Sequence, residues 1–238
     1  MHKHEEIKKY LLEQIQSGIR KPGDRLETEE ELARFFEVSR PTVRQALKSM
    51  EEGGYLCRIK GSGSFVAEPK LLHTSTSFIA SYRQEAEQQG HTLKTEVIEL
   101  ERVRADETLA AQMGIKKGTP VTRLVRVRRI TECHHGSPVV YTIVYVPVSR
   151  FPDMTEMDFA QASLYDTLEK YGLGISHVSR RLEVRRADDE VCTALETGSW
   201  EPVIMVTSTG YLKNGEVIEY AQSYYPADSS QFLIEIQR

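Results

Sequence analysis

The sequence predicts an α+β protein with a small N-terminal domain of three helices and a hairpin, and a larger C-terminal domain with an antiparallel sheet and helices. Two observations predict it. Before residue 67, three segments with helical spacing of apolar residues are followed by a hairpin pattern with glycines at its tip. Beyond residue 78, strand patterns alternate with short helical ones. The predicted domains are 1–69 and 78–238, joined by a polar linker at 70–77.

The composition is typical of a globular protein in the cytoplasm. Hydrophobic residues make up 39% of the 238 residues, and no apolar run approaches the ~20 residues that span a bilayer. The first residues lead directly into an amphipathic pattern, so no secretory signal is expected. The net charge of −4 argues against nonspecific coating of nucleic acid. Any DNA contact therefore has to rest on a local basic patch.

The cysteines indicate neither a disulfide framework nor a metal site. Cys57, Cys133 and Cys192 are far apart and odd in number, which favours reduced structural thiols. Next to Cys133 stand His134 and His135, but no second ligand pair has metal spacing, and the run resembles a hairpin tip. We therefore expect no metal and no cofactor.

The first helical pattern runs from residue 3 to residue 17 and ends at Gly18. Its apolar face consists of Ile7, Tyr10, Leu11 and Ile15. Thr28 can cap a second helix with an acidic first turn. The predicted buried side of that helix consists of Leu32, Phe35 and Phe36.

The third helical pattern follows after a short turn, as a helix-turn-helix requires. Ser39 can cap this helix, Pro41 suits its first turn, and Gly53 and Gly54 end it. Its inward positions are Val43, Ala46, Leu47 and Met50. The hairpin spans residues 55–67, with its tip at 60–63.

Three helices followed by a two-stranded hairpin form a winged helix-turn-helix, whose third helix enters the major groove with its N-terminal end. The predicted DNA contacts on that helix are Ser39, Arg40, Thr42, Arg44 and Gln45, and those on the wing are Arg58, Lys60, Gly61, Ser62 and Gly63. Arginine can bind guanine bidentately, glutamine can read adenine, and hydroxyls can hold phosphates. The alternative is a three-helix protein-interaction module with solvated arginines.

Four motifs resemble the DNA-binding domain of GntR-family regulators: LETEEELA at 26–33, VSRPTVRQAL at 38–47, GYL at 54–56 and GSGSFV at 61–66. The resemblance implies a homodimer that reads palindromic double-stranded DNA. The chain departs from the family at 27–30, where Glu-Thr-Glu-Glu replaces the usual Pro-Ser-Glu-Arg. Glu30 thus stands where the resemblance implies a DNA-contacting arginine, so operator choice is expected to differ.

The C-terminal half contains an internal repeat. Residues 105–107 match 187–189, residues 120–121 match 202–203, Gly136 matches Gly215, and residues 145–147 match 224–226. Each unit reads as a short helix, a long strand, a hairpin turn and a second long strand, and two units would pair into one antiparallel sheet. Chance similarity between β-rich segments is the alternative.

Two features of this half suit an anion. Arg126 and Arg128 are two apart on a predicted strand, so they share a face and can chelate a phosphate or carboxylate. Their alternative role is a solvated face or ion pairs with a neighbouring strand. Ser163 can cap a helix at 164–171, whose free amides favour an anion, although a capping serine is usually only a cap.

Residues 75–236 resemble the UTRA effector-binding domain of the HutC subfamily, whose fold is similar to chorismate lyase. The matching pieces are SLYD at 163–166, RVR at 126–128 and EYA at 219–221. The resemblance implies that Ser77, Arg126, Arg128, Ser163 and Tyr165 hold a phosphate, and that Glu219 binds ligand hydroxyls. Thr142 stands where a second acid is expected. Phe78, which opens a helix with Ser77, and Tyr224 complete the predicted effector site.

These expectations describe a ligand-responsive bacterial transcription regulator. It would repress a carbohydrate-utilisation operon until a small phosphorylated sugar releases it from its operator. A regulator that responds to a non-sugar anion, such as a carboxylate or phosphonate, is the alternative, and activation instead of repression stays open. A chorismate-lyase-like enzyme is a further alternative, but the sequence shows no nucleophile-base constellation, and we expect no enzyme.

Overall fold

The computed structural model describes residues 3–59, 61–68, 70–74, 82–131, 136–198 and 201–234. It divides the chain into two compact units, Met1–Pro69 and Lys70–Arg238. The α+β class predicted from the sequence is confirmed. No helix in the described ranges is long and apolar enough to cross a membrane. Lys60, Ser77, Phe78 and the 133–135 run lie outside the described residues.

The N-terminal unit has the predicted three helices and wing. Its elements are α1 (Lys3–Gln16), α2 (Glu29–Phe35), α3 (Arg40–Glu52), β1 (Leu56–Ile59) and β2 (Gly63–Val66). Strands β1 and β2 pair antiparallel. Thr28 caps α2 in a capping box with Glu31, as the acidic first turn predicts. Only four residues separate α2 from α3, which gives the helix-turn-helix.

The core of this unit combines apolar residues of all five elements. Its buried members include Ile7, Leu11, Leu32, Val43, Ala46, Met50, Leu56 and Val66. Phe35 was predicted to be buried, but it is 65% exposed. Helical residues advance about 100° each, so Leu32, Ala33 and Phe36 fill one arc and Phe35 falls outside it. Phe35 instead contacts the rings of Tyr10 and Phe36.

The start of α3 also differs from the prediction. Ser39 occupies the N-cap position, but its side chain makes no capping hydrogen bond. Its hydroxyl lies 2.9 Å from the hydroxyl of Thr42. Pro41 lies in the first turn, where its missing N–H costs nothing.

The C-terminal unit is built on a six-stranded antiparallel sheet. Its elements are β3 (Leu71–His73), α4 (Tyr82–Gln88), β4 (Leu93–Arg104), α5 (Glu107–Met113), β5 (Pro120–Ile130), β6 (Pro138–Pro147), a 3-10 helix (Pro152–Glu156), α6 (Leu164–Lys170), β7 (His177–Arg186), α7 (Asp189–Leu195), β8 (Pro202–Tyr211), β9 (Val217–Pro226) and β10 (Ser230–Phe232). The strand order is β4-β5-β6-β9-β8-β7.

This order confirms the internal repeat and extends it by one strand. The halves β4-α5-β5-β6 and β7-α7-β8-β9 have the same sequence of elements, and they meet where β6 pairs with β9. Asp106 and Asp188 cap the equivalent helices α5 and α7. The repeat motifs predicted only the helix and the two strands after it, because β4 and β7 share no landmark residues.

The predicted linker at 70–77 is partly a strand. Leu71–His73 pairs in parallel with Ser230–Phe232, and Lys70 Nζ donates a hydrogen bond to the carbonyl of Ala227. Turn and polar residues around this segment suggested a linker, but Leu71 and His73 are buried by long-range contacts that local patterns do not reveal.

The two faces of the sheet have different covers. Leu124, Val144 and Ala221 pack against α6 and the 3-10 helix, through Leu164, Leu168 and Met154. The opposite face packs against α5 and α7, for example where Tyr141 and Val203 meet Val191. Because strand side chains alternate, each strand contributes to both faces. The candidate ligand site lies on the α6 face.

Candidate functional site

A cavity of about 110 Å³ lies on the α6 face of the sheet. Its lining brings together the predicted residues Arg126, Arg128, Thr142, Ser163, Tyr165 and Glu219. They come from β5, β6, α6 and β9, so only the fold unites them. Six of the nine predicted effector residues therefore meet here. Ser77 and Phe78 lie outside the described residues, and Tyr224 lies elsewhere.

Arg126 and Arg128 are both buried and face the cavity. Arg123 and Arg129 of the same strand form ion pairs with glutamates, but within the described ranges Arg126 and Arg128 form none. Arg128 Nη1 donates to Thr142 Oγ1 at 3.1 Å, and Arg126 Nε is buried with no hydrogen-bond partner among the described residues. The predicted alternative of a solvated face does not apply, because both side chains are enclosed.

Burial makes these two cations electrostatically costly. Burial and the nearby Arg128 lower the pKa of Arg126 well below its usual value, and burial lowers the pKa of Arg128 to about 10. Two like charges in a poorly solvated place favour a bound counter-ion. The guanidinium of Arg126 lies over the Phe159 ring and that of Arg128 over the Tyr82 ring, at 5.9 Å and 5.6 Å from the ring centroids.

Glu219 forms the other charged part of the cavity. Its carboxylate accepts a hydrogen bond from the Tyr165 hydroxyl at 3.2 Å. Burial raises the pKa of Glu219 to about 7, although Tyr165, Arg180 and Arg126 act in the opposite direction. A Cβ on Gly210 of the neighbouring strand would lie 2.9 Å from Glu219 Oε2. The missing side chain at Gly210 therefore makes room for the carboxylate.

Ser163 is the N-cap of α6, as predicted, and its hydroxyl accepts from the Asp166 amide at 3.3 Å. Its side chain already has this structural role while it lines the cavity. Thr142 stands opposite Arg126 in the pairing of β5 and β6. Thr142 therefore places a neutral hydroxyl where the resemblance implied an acid.

Tyr224 does not lie with the other predicted effector residues. Tyr224 packs on the α7 face with Tyr141 and Met205, and it does not line the cavity. Tyr225 lines it instead. Glu219 and Tyr225 are an even number of positions apart on β9, so the period of two places them on one face and excludes Tyr224. The sequence contained this signal.

Several cavity residues had not been predicted. They include Tyr82, Arg83, Thr95, Arg180, Ser208, Ser223 and Phe232. Ser208 occupies the position in β8 that Arg126 occupies in β5, so the repeat could have identified it. Arg180 lies opposite Ser208 on the edge strand β7. Strand β7 contains several arginines, and its alternating pattern gave no basis for choosing one of them.

The predicted DNA-contacting residues form a second candidate site at the N-terminal half of α3. Arg40, Arg44 and Gln45 are exposed, whereas Val43 and Ala46 of the same helix are buried. Ser39 and Thr42 share a hydrogen bond at the helix start. The helix thus presents one polar face while its other face anchors it in the core.

The wing carries Arg58 on β1 and the turn of Gly61, Ser62 and Gly63. Arg58 is exposed, and the Ser62 amide closes the turn on the Ile59 carbonyl at 3.0 Å. Gly61 and Gly63 have φ values of 79° and 126°, which L side chains rarely adopt. These glycines let a tight turn form, with open space beside Gly61 and the Arg25 side chain against Gly63.

Acidic residues of α2 contact these basic side chains. Arg44 and Arg58 both donate to the Glu29 carboxylate, at 2.7 Å and 2.8 Å. Glu30 lies 3.4 Å from Arg34 and 3.8 Å from Arg40. The local positive patch that the sequence predicted is therefore partly neutralised within the domain.

Comparisons with known proteins identify the families of both halves of the chain. The model of bacterial regulatory proteins of the gntR family matches residues 3–66, and that of the UTRA domain matches residues 88–231. The chain is 31% identical to the HTH-type transcriptional repressor NagR of Bacillus subtilis, over 98% of this chain and 94% of that protein. It is 29% identical to the mannosyl-D-glycerate transport/metabolism system repressor MngR of Escherichia coli, over 99% and 96%.

A solved structure supports the same assignment. PhnF from Mycobacterium smegmatis matches with a TM-score of 0.68 and 26% identity, over 99% of each chain. Matches of this length include the winged helix, the repeated sheet and the segment that joins them. The chain therefore belongs to the GntR family of bacterial regulatory proteins and carries the UTRA domain that its C-terminal motifs implied.

Proposed function

We propose that this regulator is a repressor that leaves its operator DNA when a small phosphorylated sugar binds in the cavity of the UTRA domain. The carrying observation is the pair of buried arginines, Arg126 and Arg128, which face the cavity and form no ion pair in the described part of the chain, although Glu219 lies close enough to raise the pKa of Arg126. A doubly charged phosphate would supply the missing counter-charge and accept several of their N–H groups.

The rest of the cavity suits a polyhydroxylated ligand. Its lining includes the hydroxyl and carboxyl groups of Thr142, Tyr165, Ser208, Glu219 and Ser223. Such groups can both donate and accept hydrogen bonds with sugar hydroxyls. The names of the relatives refer to different molecules, such as mannosyl-D-glycerate and histidine, so they do not choose the ligand. A non-sugar phosphonate or carboxylate is the second candidate, because the arginines would also bind those anions.

On the DNA side, α3 would enter the major groove with Ser39, Arg40, Thr42, Arg44 and Gln45, and the wing would follow the backbone with Arg58 and the 60–63 tip. The exposed face of α3 supports this placement. Because the chain has a net charge of −4, electrostatic attraction to DNA is restricted to this face of α3. Specific contacts therefore have to supply much of the affinity for the operator.

The function is tested with the full chain and a duplex that it selects from randomised DNA. We expect hexose phosphates to release this duplex at concentrations at least about tenfold lower than the parent hexoses, since the charge contacts are lost in the parents. Inorganic phosphate and simple phosphonates test the second candidate. Equal release by a sugar and its phosphate, or release by a cationic compound alone, would contradict the proposed ligand.

We also propose that the chain works as a homodimer formed by the C-terminal unit. One winged helix reads one half-site, and two half-sites of a palindrome lie about 34 Å apart. We expect sedimentation to find a dimer for the full chain and a monomer for residues 1–70, which contain a complete core of their own. A fragment 1–70 that dimerises while residues 75–238 stay monomeric would refute this arrangement.

A catalytic role is the remaining candidate, and the cavity gives it little support. Tyr165 and Glu219 are hydrogen-bonded, but burial raises the pKa of the tyrosine, which disfavours an activated phenolate. Incubation of the full chain with the same panel, followed by product analysis, separates the two classes. Turnover of any compound would indicate that the cavity binds a substrate and not a regulatory ligand.

A further inference from the structure

One carboxylate holds two of the predicted DNA-contacting arginines, and these arginines come from different elements. Glu29 is the first residue of α2. Arg44 of α3 donates to it from Nε at 3.2 Å and from Nη2 at 2.7 Å. Arg58 of β1 donates from Nη2 at 2.8 Å to Oε1, the oxygen that also accepts from Arg44 Nε. Glu29 therefore connects α2, the reading helix and the wing.

The exposure of the three side chains shows which of them faces outward. The Glu29 side chain is 13% exposed, whereas those of Arg44 and Arg58 are 62% and 53% exposed. The carboxylate thus lies beneath the two guanidiniums. The hydrogen bonds from Arg44, and then those from Arg58, lower the pKa of Glu29 to about 2, so it stays ionised at any pH used for DNA binding.

The bonding pattern leaves the guanine-reading edge of Arg44 available. A guanidinium has five N–H donors in a planar fork. Glu29 accepts from the edge formed by Nε and Nη2. The end formed by Nη1 and Nη2 keeps two parallel N–H groups, which is the arrangement that binds guanine O6 and N7.

We propose that Glu29 is a positioning residue for DNA recognition, which fixes Arg44 for base reading and ties the wing residue Arg58 to the reading helix. The inference rests on the proposed role of α3 as the reading helix. An arginine that is already held in its binding geometry loses less conformational freedom when it meets the base. Glu29 therefore increases discrimination between DNA sequences, although its charge opposes attraction to phosphates.

The neighbouring acid shows why Glu29 has this role and Glu30 does not. The Glu30 side chain is 60% exposed and its nearest arginine nitrogens lie 3.4 Å and 3.8 Å away. Exposed pairs at such distances hold side chains only weakly. Glu29 instead makes short bonds to two arginines from a largely buried position.

The test compares the full chain with Glu29→Gln, which keeps the shape but removes the charge. The probes are the duplex selected from randomised DNA and a scrambled duplex of the same composition. We expect about a tenfold loss of affinity for the selected duplex, with unchanged or slightly higher affinity for the scrambled one. Arg44→Ala should lose at least as much, and Glu29→Gln combined with Arg44→Ala should be little weaker than Arg44→Ala alone.

Glu13→Gln is the matched control, since it removes one exposed acid of the same domain that pairs only loosely with Lys9. It should affect both duplexes equally. Thermal unfolding of each variant checks the fold. If Glu29→Gln tightens both duplexes, or weakens both equally, the positioning role is refuted while the regulator function stands. If no duplex is selected, or Arg44→Ala leaves the selected duplex unaffected, the reading helix itself is wrong and the inference fails with it.

Discussion

Arg126→Ala is expected to remove most of the affinity advantage that a hexose phosphate has over its parent hexose. Arg126 is buried at the cavity, and its Nε has no hydrogen-bond partner among the described residues. A charged hydrogen bond contributes about 1.5–3 kcal/mol, so its loss corresponds to roughly a tenfold to hundredfold weaker phosphate binding. Calorimetry with both compounds on the wild type and the variant measures this difference.

In the ligand-free protein, Arg126→Ala should increase the stability of the C-terminal unit. Removing one of two like charges from a poorly solvated site relieves repulsion, although the smaller side chain leaves a void.

For ligand binding, Arg123→Ala is the control, because Arg123 lies on the same strand but pairs with Glu99 and Glu190. It should leave the ratio of the two affinities unchanged. If Arg126→Ala weakens the sugar and its phosphate equally, Arg126 does not read the phosphate.

The sequence predicted most of the fold because its local signals agree with the tertiary structure. Thr28 and Ser163 cap the helices that their positions indicate, and the amphipathic face of α3 is the buried one. The error in the predicted linker has a tertiary cause. Leu71–His73 and β10 form a strand pair only because distant parts of the chain meet, and no local pattern records that contact.

The part of the candidate site that lies on strands was predictable from the two-residue period of a strand. Arg126 and Arg128 share a face because they are two apart, and the same rule selects Tyr225 and excludes Tyr224. Arg180 and Arg83 could not be chosen in this way, since their positions depend on how an edge strand and α4 pack against the sheet. Motif resemblance cannot supply residues that the motif does not contain.

The two halves of the repeat contribute different side chains to the cavity from equivalent positions. Arg126 stands opposite Thr142, and the equivalent pair in the second half is Ser208 and Ala221. The first half thus contributes large cations where the second half contributes small side chains. Gly210, at the position equivalent to Arg128, leaves the room that Glu219 occupies. Divergence between two similar halves creates both the volume and the charge asymmetry of the site.

Glu219→Gln is expected to stabilise the C-terminal unit at neutral and alkaline pH. Burial raises the pKa of Glu219 from 4.5 to about 7. Between these values the folded state holds a proton that the unfolded state has released, so rising pH lowers the stability of the wild type. The cost is absent below pH 4.5 and complete above pH 7, where it reaches about 3 kcal/mol at 1.36 kcal/mol for each pKa unit. Urea unfolding at several pH values should therefore show that the gain from Glu219→Gln grows through this window.

The same substitution should weaken ligand binding, which distinguishes a functional acid from a structural one. Glutamine fits the space beside Gly210 and can still accept from Tyr165, but it cannot supply a charged acceptor to ligand hydroxyls. Glu216→Gln is the control in the turn between β8 and β9, because Arg150 lowers the pKa of that half-buried acid and its removal should bring no gain at neutral pH. A stabilised variant that binds hexose phosphate less tightly would indicate that the buried charge is kept for binding. Equal stability changes at pH 4 and pH 8 would instead show that burial does not raise the pKa of Glu219.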